Sequence, residues 1–285
     1  MRVLFIVDKC GDLGNRLFRF ARFYSEKPKN IIFVDLTFGQ YVYLYSPKDT
    51  LYKIIFLLIG FLYFRYYDVI KKYIRHKTCS LDDVVSIEKL IKNQTYATEL
   101  YQNINRSSRC VHNLSIKSYH FRSTADERYL ERIKKIFTLK KKYLREAEEL
   151  LGNNLCNKTI ICVHIRRNDY AHYAGGRYYF DDRVYLKNLV ELKRTSKSPH
   201  SLKFVLISDE IIQIDNYKSI DPLYFGNKGI GFDQAILQLS DYIIGTFSTF
   251  SAWPSFLHQI PMAVISDDQK IIGWGNFKTH NVNYM

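Results

Sequence analysis

Four short apolar runs recur in the second half of the chain, and segments with helical spacing separate them. The runs lie at 159–165, 202–208, 242–245 and 262–266. Strands and helices that alternate in this way form a parallel sheet with helices on both faces. In such sheets ligands bind beyond the carboxyl ends of the strands. The sequence therefore predicts an α/β fold with its site in the loops that follow the first three runs.

The start of the chain shows a similar strand–turn–helix pattern. An apolar run at 2–7 predicts a buried strand, 13–25 has the spacing of an amphipathic helix, and 31–35 predicts a second strand. Gly14 and Asn15 lie close to the turn between the first strand and the helix. Because glycine allows the backbone to approach another group closely, this turn is a further candidate part of the site.

A change of pattern near the middle of the chain indicates a domain boundary. The helical pattern of 123–152 breaks at the sequence GNNLCN, where Gly152 is typical of a helix end. We expect one domain at 1–155 and a second at 156–285, with the last residues packing back on the first domain. A chain of 285 residues is long enough for both.

The formal net charge is +14, and most of the excess lies in the first half. A nucleic acid, an anionic lipid surface or a phosphorylated substrate would each attract such a protein. A basic nucleic-acid-binding protein is therefore an alternative, although the chain has no signature of a known RNA- or DNA-binding domain.

Residues 51–77 combine an apolar run with a basic end. The run Ile54–Phe64 lies between Lys53 and Arg65, and it is shorter than the about 20 residues that a bilayer-spanning helix needs. One interpretation is a buried helix with a solvated basic end. The other is peripheral contact with an anionic membrane, with apolar side chains in the interface and lysines at the headgroups.

Neither a metal site nor an export signal is predicted. The five cysteines form no CxxC pair and have no metal-ligand spacing, which is typical of reduced thiols in the cytosol. The first apolar run is too short for a signal peptide. We therefore expect a cytoplasmic protein, with peripheral contact at the inner face of the membrane through residues 51–77.

The sequence HIRRNDY concentrates ionic groups at the end of the strand 159–165. His164 and Arg166 share one face because side chains alternate along a strand. A guanidinium at this place matches a phosphate or pyrophosphate with two hydrogen bonds. Asp169 would orient an arginine or accept a proton. The simpler alternative is a charged loop in which Asp169 pairs with Arg166 or Arg167.

Other loops at the same edge supply further polar groups. Ser208 and Asp209 would begin a helix or bind ribose hydroxyls, and Asp233 would cap a helix or pair with a base edge. The chain has no GxxxxGK[ST] sequence, which disfavours a P-loop kinase, and no GxGxxG after a strand, so the usual dinucleotide fingerprint is absent. It has no DxD triplet either, so a metal-bridged diphosphate is not indicated. The turn after the third strand offers an anion site or a helix cap through Thr246, Phe247, Ser248 and Thr249.

Three segments, in this order, resemble the α-1,2-fucosyltransferases of glycosyltransferase family 11. GDLGNRLFRFA is similar to their glycine-rich opening, VHIRRNDY to their H-x-R-R-x-D-Y motif, and LSDYIIGTFSTFSAWPSFL to their late strand–turn block. In the opening motif, Asp12 and Arg16 stand where this family usually has Gly and Gln. The middle of the chain, roughly 40–150, carries no such likeness.

The resemblance implies a GT-B-like architecture, in which two Rossmann-like domains face a central cleft, with the acceptor on the first domain. The implied reaction is inverting, metal-independent transfer of fucose from GDP-fucose to O2 of a terminal galactose. The acceptor would be a glycan in surface polysaccharide or O-antigen synthesis, and a lipid-linked glycan is one form that it would take. Alternatives are an α-1,6- or O-fucosyl-type enzyme and a sugar-nucleotide binder without activity.

The same resemblance implies roles for individual residues. Arg166 would hold the donor phosphates in place of a metal, and His164 and Asp233 would lie near the guanine. Asn15, with Gly11 and Gly14, would line the cleft from the first domain. The expected catalytic residues are thus Arg166, Asp169 and Asn15, and the expected donor-binding residues are His164, Arg167, Ser208, Asp209, Asp233, Thr246, Phe247, Ser248, Thr249 and Gly14.

Overall fold

The structure, a computed structural model, contains two compact units, residues 1–138 and 139–285. Each unit has its own parallel sheet, as the alternation of strands and helices predicts. The residues that the structure describes are 2–7, 11–27, 29–77, 79–80, 111–114, 129–155 and 157–279.

The sheet of the first unit has the strand order β2–β1–β4–β3, and its strands run parallel. The predicted opening is confirmed as β1 (Arg2–Ile6), α1 (Leu13–Glu26) and β2 (Ile31–Asp35). The other described elements are a 3-10 helix (Leu36–Leu44), α2 (Thr50–Lys77), β3 (Cys79–Ser80), β4 (Val111–Leu114) and α3 (Leu130–Ile136).

Aromatic side chains form the core of the first unit around Phe20 of α1. The Phe20 ring meets the rings of Phe33 and Phe137 edge-on, with centroids 5.1 and 4.9 Å apart. Such edge-to-face pairs add to the free energy that the buried apolar area contributes. The apolar face of α1 is thereby held against β2 and the segment that follows α3.

Helix α2 has two apolar faces, and only one of them is buried. Ile55 and Ile59 pack inside the unit, whereas 68% of Leu57, 71% of Phe61 and 75% of Phe64 is accessible to solvent. The predicted helix is confirmed, and it combines a buried face with a wide apolar surface. Among the described helices, none is long and apolar enough to cross a membrane.

The sheet of the second unit has the order β7–β6–β5–β8–β9, again with parallel strands. The central strand β5 (Thr159–Ile165) lies between β6 (Leu202–Ser208) and β8 (Tyr242–Thr246). Most of their residues are buried, as expected for continuous apolar strands covered on both faces. The remaining strands and α-helices are α4 (Lys141–Leu155), α5 (Asp182–Arg194), β7 (Leu223–Tyr224), α6 (Ile230–Leu239), α7 (Thr249–His258) and β9 (Met262–Ile265).

The two units divide before α4, earlier in the chain than the boundary expected after residue 155. Helix α4 packs on α6, where the ring of Tyr143 lies so close to Gly231 that a β-carbon there would be 2.5 Å from it. Gly152 was predicted to end a helix, and this prediction is wrong because α4 continues to Leu155. An interior glycine lowers helix stability by about 1 kcal/mol, which tertiary packing easily offsets.

The end of the described chain stays with the second unit. The main chains of Met262 and Lys278 exchange two hydrogen bonds, of 2.9 and 3.2 Å, beside β9. The expectation that the last residues return to the first domain concerns 280–285, which lie outside the described residues.

Helix α7 contains an interior proline, and a side chain from α6 compensates for it. Pro254 has no N–H, so the carbonyl of Phe250, four residues earlier, has no intrahelical donor. Gln234 of α6 donates from Nε2 to this carbonyl at 2.9 Å. The bond joins α6 to α7 and helps to fix the first turn of α7 beyond the end of β8.

We expect Gln234→Leu to lower the free energy of unfolding by about 1–3 kcal/mol, because the Phe250 carbonyl loses its donor. In a Pro254→Ala background the helix regains an N–H, so the same substitution should cost less. Urea denaturation of the four proteins in a double-mutant cycle measures this coupling. Equal costs in the two backgrounds would contradict the compensation.

Candidate functional site

Polar residues converge where β5, β6 and β8 end. Ile165 is level with Ser208, and His164 is level with Gly245, so the three strands finish at one edge of the sheet. This arrangement confirms that the loops after the first three predicted strands meet. Of the predicted residues, those of the second unit come together here, whereas Gly14 and Asn15 belong to the first unit.

Arg166 lies at the centre of this edge, and its side chain is 22% exposed. Its Nη2 is 2.5 Å from Asp169 Oδ1, and its Nη1 is 2.9 Å from Asp209 Oδ2, the latter without the alignment of a hydrogen bond. Its guanidinium carbon also lies 5.3 Å from the centre of the Tyr170 ring. Asp169 therefore holds Arg166, as in the simpler of the two interpretations of this loop.

Arg167 points the other way and is buried. Its Nε donates to the Phe180 carbonyl at 3.1 Å, Nη2 donates to Asp182, and Nη1 lies 3.5 Å from Glu210. Its main-chain N–H donates to Asp209 at 3.0 Å. The two neighbouring arginines thus differ: the Arg167 side chain binds protein groups, and Arg166 presents charge at the strand ends.

Asp182 is a residue of this edge that the sequence analysis did not identify. It accepts hydrogen bonds from Arg167, from Asn216 at 2.5 Å and from Tyr217 at 2.8 Å. Burial alone would raise the pKa of Asp182, but these donors outweigh it and the pKa is lowered. Its partners Arg167, Asn216 and Tyr217 lie outside the strands and helices that the sequence predicts, so the sequence does not show that they meet Asp182. The only local sign was the pair of neighbouring aspartates at 181–182.

His164 is buried and uncharged at neutral pH. Burial, and then the charge of Arg166, lower the pKa of His164 to about 3. Its ring centroid lies 5.3 Å from that of Phe250, and its Nδ1 has no hydrogen-bond partner among the described residues. This nitrogen is buried, so the neutral imidazole keeps an unsatisfied polar atom next to the strand ends.

Asp233 lies in the first turn of α6, where Gly229, with φ +90°, takes the N-cap position instead. The prediction that Asp233 caps this helix is wrong because Gly229 begins it. Burial, and then the charge of Asp209, raise the pKa of Asp233 to about 7. Within the described part of the chain its carboxyl group makes no ion pair, so it is available to a ligand's N–H donors.

Ser208 and Asp209 do not begin a helix, because the chain after β6 continues as an irregular loop. Ser208 Oγ accepts from the Glu210 N–H at 3.2 Å. Asp209 instead bridges the two arginines, through its Oδ1 to the Arg167 N–H and its Oδ2 beside Arg166. The helix-cap interpretation of this loop is therefore wrong.

The turn between β8 and α7 presents the start of a helix to the site. Ser248 is the N-cap of α7 and accepts from the Phe250 N–H at 3.3 Å, while Thr249 is the first residue of the helix. Thr246 Oγ1 donates to the Tyr178 carbonyl at 3.1 Å. The Phe247 carbonyl accepts from Tyr170. The first N–H groups of a helix and its dipole favour an anion at this position.

In the first unit, Gly11 has φ +53°, and a β-carbon there would lie 2.1 Å from Asn15 Nδ2. Glycine is therefore required for the side chain of Asn15 to pack on the turn. Arg16 is buried and donates to the carbonyls of Gly11, at 3.0 Å, and Thr37, at 2.6 Å. Arg16 thus fastens the turn that leads into α1. Gly14 is buried on the first turn of α1.

No group of three or more His, Cys, Asp or Glu side chains that could hold a metal ion occurs within the described ranges. At the end of β5 the cationic side chain of Arg166 lies between the carboxylates of Asp169 and Asp209, and the first turn of α7 adds main-chain N–H groups.

Asp233→Asn is expected to stabilise the protein at pH 8 by roughly 1–3 kcal/mol and to have little effect at pH 4. At pH 4, close to the ordinary aspartate pKa, the carboxyl is neutral in the folded state and only partly ionised in the unfolded state, so the two states differ little. As the pH rises toward 7, only the unfolded state ionises freely, so the native protein loses stability. Urea denaturation at both pH values measures the difference, and a pH-independent difference would contradict the burial of this carboxyl.

Comparison with known proteins gives a family and a fold. The family described as Glycosyl transferase family 11 matches residues 62–268. No curated protein sequence matches the chain.

Two solved proteins share the fold at low sequence identity. NodZ α-1,6-fucosyltransferase, co-crystallised with GDP, has a TM-score of 0.58 and 15% identity, over 93% of this chain and 95% of that chain. A NodZ structure from Bradyrhizobium has a TM-score of 0.55 and 11% identity, over 93% and 95% of the two chains. POFUT1 in complex with GDP has a TM-score of 0.53 and 13% identity, over 93% and 99%.

The α/β, GT-B-like fold class predicted from the sequence is confirmed by these likenesses. The match at 62–268 spans most of the chain and includes the loops after β5, β6 and β8. The chain belongs to glycosyl transferase family 11.

Proposed function

We propose that this glycosyltransferase transfers fucose from GDP-fucose to a hydroxyl group of a glycan, with inversion and without a metal ion. The position of Arg166 carries the proposal, because its partly exposed side chain and the start of α7 place hydrogen-bond donors for an anion at the edge where three strands end. The likeness to NodZ and POFUT1, whose structures contain GDP, supports this donor class.

In the proposed reaction the acceptor oxygen forms a bond to C1 of fucose while the bond from C1 to the β-phosphate oxygen breaks. Negative charge then develops on the departing GDP. Arg166 and the N–H groups of α7 would stabilise this charge, which makes GDP a better leaving group. Since Asp169 is tied to Arg166 at 2.5 Å, we assign it the role of orienting that arginine. The acceptor proton would pass to the departing phosphate.

The remaining donor contacts follow from the same edge. His164 and Asp233 would contact the guanine, whose adjacent N–H groups suit a carboxylate. Asp209 would hold Arg166 from the side opposite Asp169. The hydroxyls and N–H groups of the turn 246–249 would contact the phosphates, and buried Arg167 would support the loop from within.

The acceptor assignment rests on motif resemblance. We propose a terminal galactose with attack by its O2, on a lipid-linked glycan of surface polysaccharide or O-antigen synthesis. Gly14 and Asn15 of the first unit would contact this acceptor. An α-1,6 linkage is the competing assignment, because NodZ is an α-1,6-fucosyltransferase. The proposal includes no nucleic-acid partner.

Thermal-shift measurements with GDP, GDP-fucose, GDP-mannose and UDP-sugars, without added metal, test the donor. We expect GDP and GDP-fucose to raise Tm and UDP-sugars to have no effect. Arg166→Ala should remain folded but lose fucose transfer by about a hundredfold or more, because preorganised charge at a leaving group contributes on this scale. Equal stabilisation by UDP-sugars, or unchanged transfer by this variant, would refute the proposal.

Arg167→Ala is the matched control. Removing this buried partner of Asp182 should lower the free energy of unfolding by about 3–5 kcal/mol. The two neighbouring substitutions should therefore have different effects: Arg166→Ala should lower the rate of transfer, and Arg167→Ala should lower the stability of the fold.

We also propose that the protein is cytoplasmic and lies against the inner face of the membrane through α2. The exposed face of this helix presents Leu57, Phe61 and Phe64, and Arg65 and Lys72 extend it toward the end of the helix. Apolar side chains would enter the interface while the cations contact anionic headgroups.

Flotation with vesicles of phosphatidylcholine, with and without phosphatidylglycerol, tests this contact. We expect binding to the anionic vesicles only, and loss of binding in Phe61→Glu. Ile211→Glu, on an 80% exposed side chain of the second unit, is the matched control and should still float. Binding by Phe61→Glu equal to that of the unaltered protein, or no binding at all, would argue against a membrane role for α2.

A further inference from the structure

Three tyrosines between β5 and α5 form a tyrosine cluster at the edge of the candidate site: Tyr170, Tyr173 and Tyr178. The rings of Tyr170 and Tyr173 stack at 5.5 Å with 24° between their planes, and those of Tyr173 and Tyr178 stack at 6.2 Å with 30°. These tyrosines come from one short segment, so their stacking depends on how that segment turns.

The segment turns through three consecutive residues with positive φ. These are Ala174 at +50°, Gly175 at +67° and Gly176 at +79°. Glycine adopts this conformation freely, but alanine does so only at an energetic cost. An unfavourable backbone conformation of this kind persists where the surrounding structure holds it, and it is common at functional sites.

Contacts to the β8–α7 turn fix the tyrosine cluster. Tyr170 donates from its hydroxyl to the Phe247 carbonyl at 2.6 Å, and the Tyr178 carbonyl accepts from Thr246 at 3.1 Å. The Tyr178 ring also meets the Phe247 ring edge-on at 5.3 Å. The guanidinium of Arg166 also lies over the ring of Tyr170. The cluster is thus a rigid neighbour of the group proposed to hold the phosphates.

One member of this rigid cluster faces water. Tyr173 is 56% exposed although its ring is aligned with those of its two neighbours. Tyr170 and Tyr178 are half-buried, and packing within the protein accounts for the positions of their rings. Much of the surface of the Tyr173 ring, in contrast, contacts no protein group. A flat aromatic ring with a negative face attracts the C–H groups on the apolar face of a pyranose. Holding the ring in advance lowers the entropic cost of binding.

From this geometry we infer that Tyr173 is a sugar-stacking residue, against which a pyranose ring lies during transfer. The inference rests on the proposed function, since the pyranose is either the fucosyl group of the donor or the first sugar of the acceptor. Both lie within one sugar of the phosphates that Arg166 would bind. A nucleobase would stack on such a ring as well, but it is separated from the β-phosphate by ribose and the α-phosphate.

The test compares Tyr173→Ala, Tyr173→Leu and Tyr173→Phe in steady-state fucose transfer, with GDP affinity and Tm measured on each. We expect kcat/KM to fall roughly fivefold to tenfold in the Ala and Leu variants, because both lose the ring face. The Phe variant keeps that face and should stay within about twofold. The Leu variant keeps apolar bulk, so it guards against a loss caused by poor folding.

Tyr179→Ala is the matched control, because Tyr179 is 41% exposed in the same segment but is not part of the tyrosine cluster. It should leave kcat/KM unchanged. A raised KM for the glycan identifies the acceptor sugar as the stacked ring. A weaker affinity for GDP-fucose with unchanged affinity for GDP identifies the fucosyl group.

Unchanged kcat/KM in Tyr173→Ala and Tyr173→Leu would overturn the inference. A parallel loss of GDP affinity would also overturn it, because the contact would then be to the nucleotide. Failure of the proposed function is distinct from both results, since the unaltered protein would then neither bind GDP nor transfer fucose.

Discussion

The buried guanidinium of Arg167 joins segments that lie far apart in the chain. It bonds the Phe180 carbonyl and Asp182 at the start of α5, and it reaches Glu210 in the loop after β6. A buried arginine that lost these acceptors would be strongly destabilising. The loop that follows β5 therefore has a fixed path, and this path leaves Arg166 directed toward the ends of the strands.

Each of the two units has a buried arginine that binds an aspartate near the end of a strand. In the first unit Arg19 donates to Asp35, at the end of β2, at 2.8 Å, and to Thr37 at 2.7 Å. In the second unit Arg167 plays the corresponding part beside β5. Each of these arginines is balanced by an internal carboxylate, so neither adds to the positive surface available to an anionic partner.

The regular elements and the location of the candidate site were predictable, because both depend on local patterns. A run such as 159–165 has the apolar, β-branched composition of a buried strand, and polar residues after such strands meet at one edge. The division of labour between Arg166 and Arg167 was not predictable, since both have the same chemistry and adjacent positions. Arg167 points inward because Phe180, Asp182 and Glu210 supply its acceptors, and no local sequence pattern shows that these residues lie beside it. The same limit applies to α4, whose sequence shows a helix but not the unit on which it packs.

The order of strands in the second sheet also has a consequence during synthesis of the chain. The central strand β5 is made before β6 and β8, the two strands that flank it. Until both have left the ribosome, an apolar segment of high β-propensity has unpaired edges and can pair with other chains. Parallel strands that wait for distant partners fold slowly. We therefore expect recovery of the folded protein to depend on chaperones and on expression temperature more than its final stability would suggest.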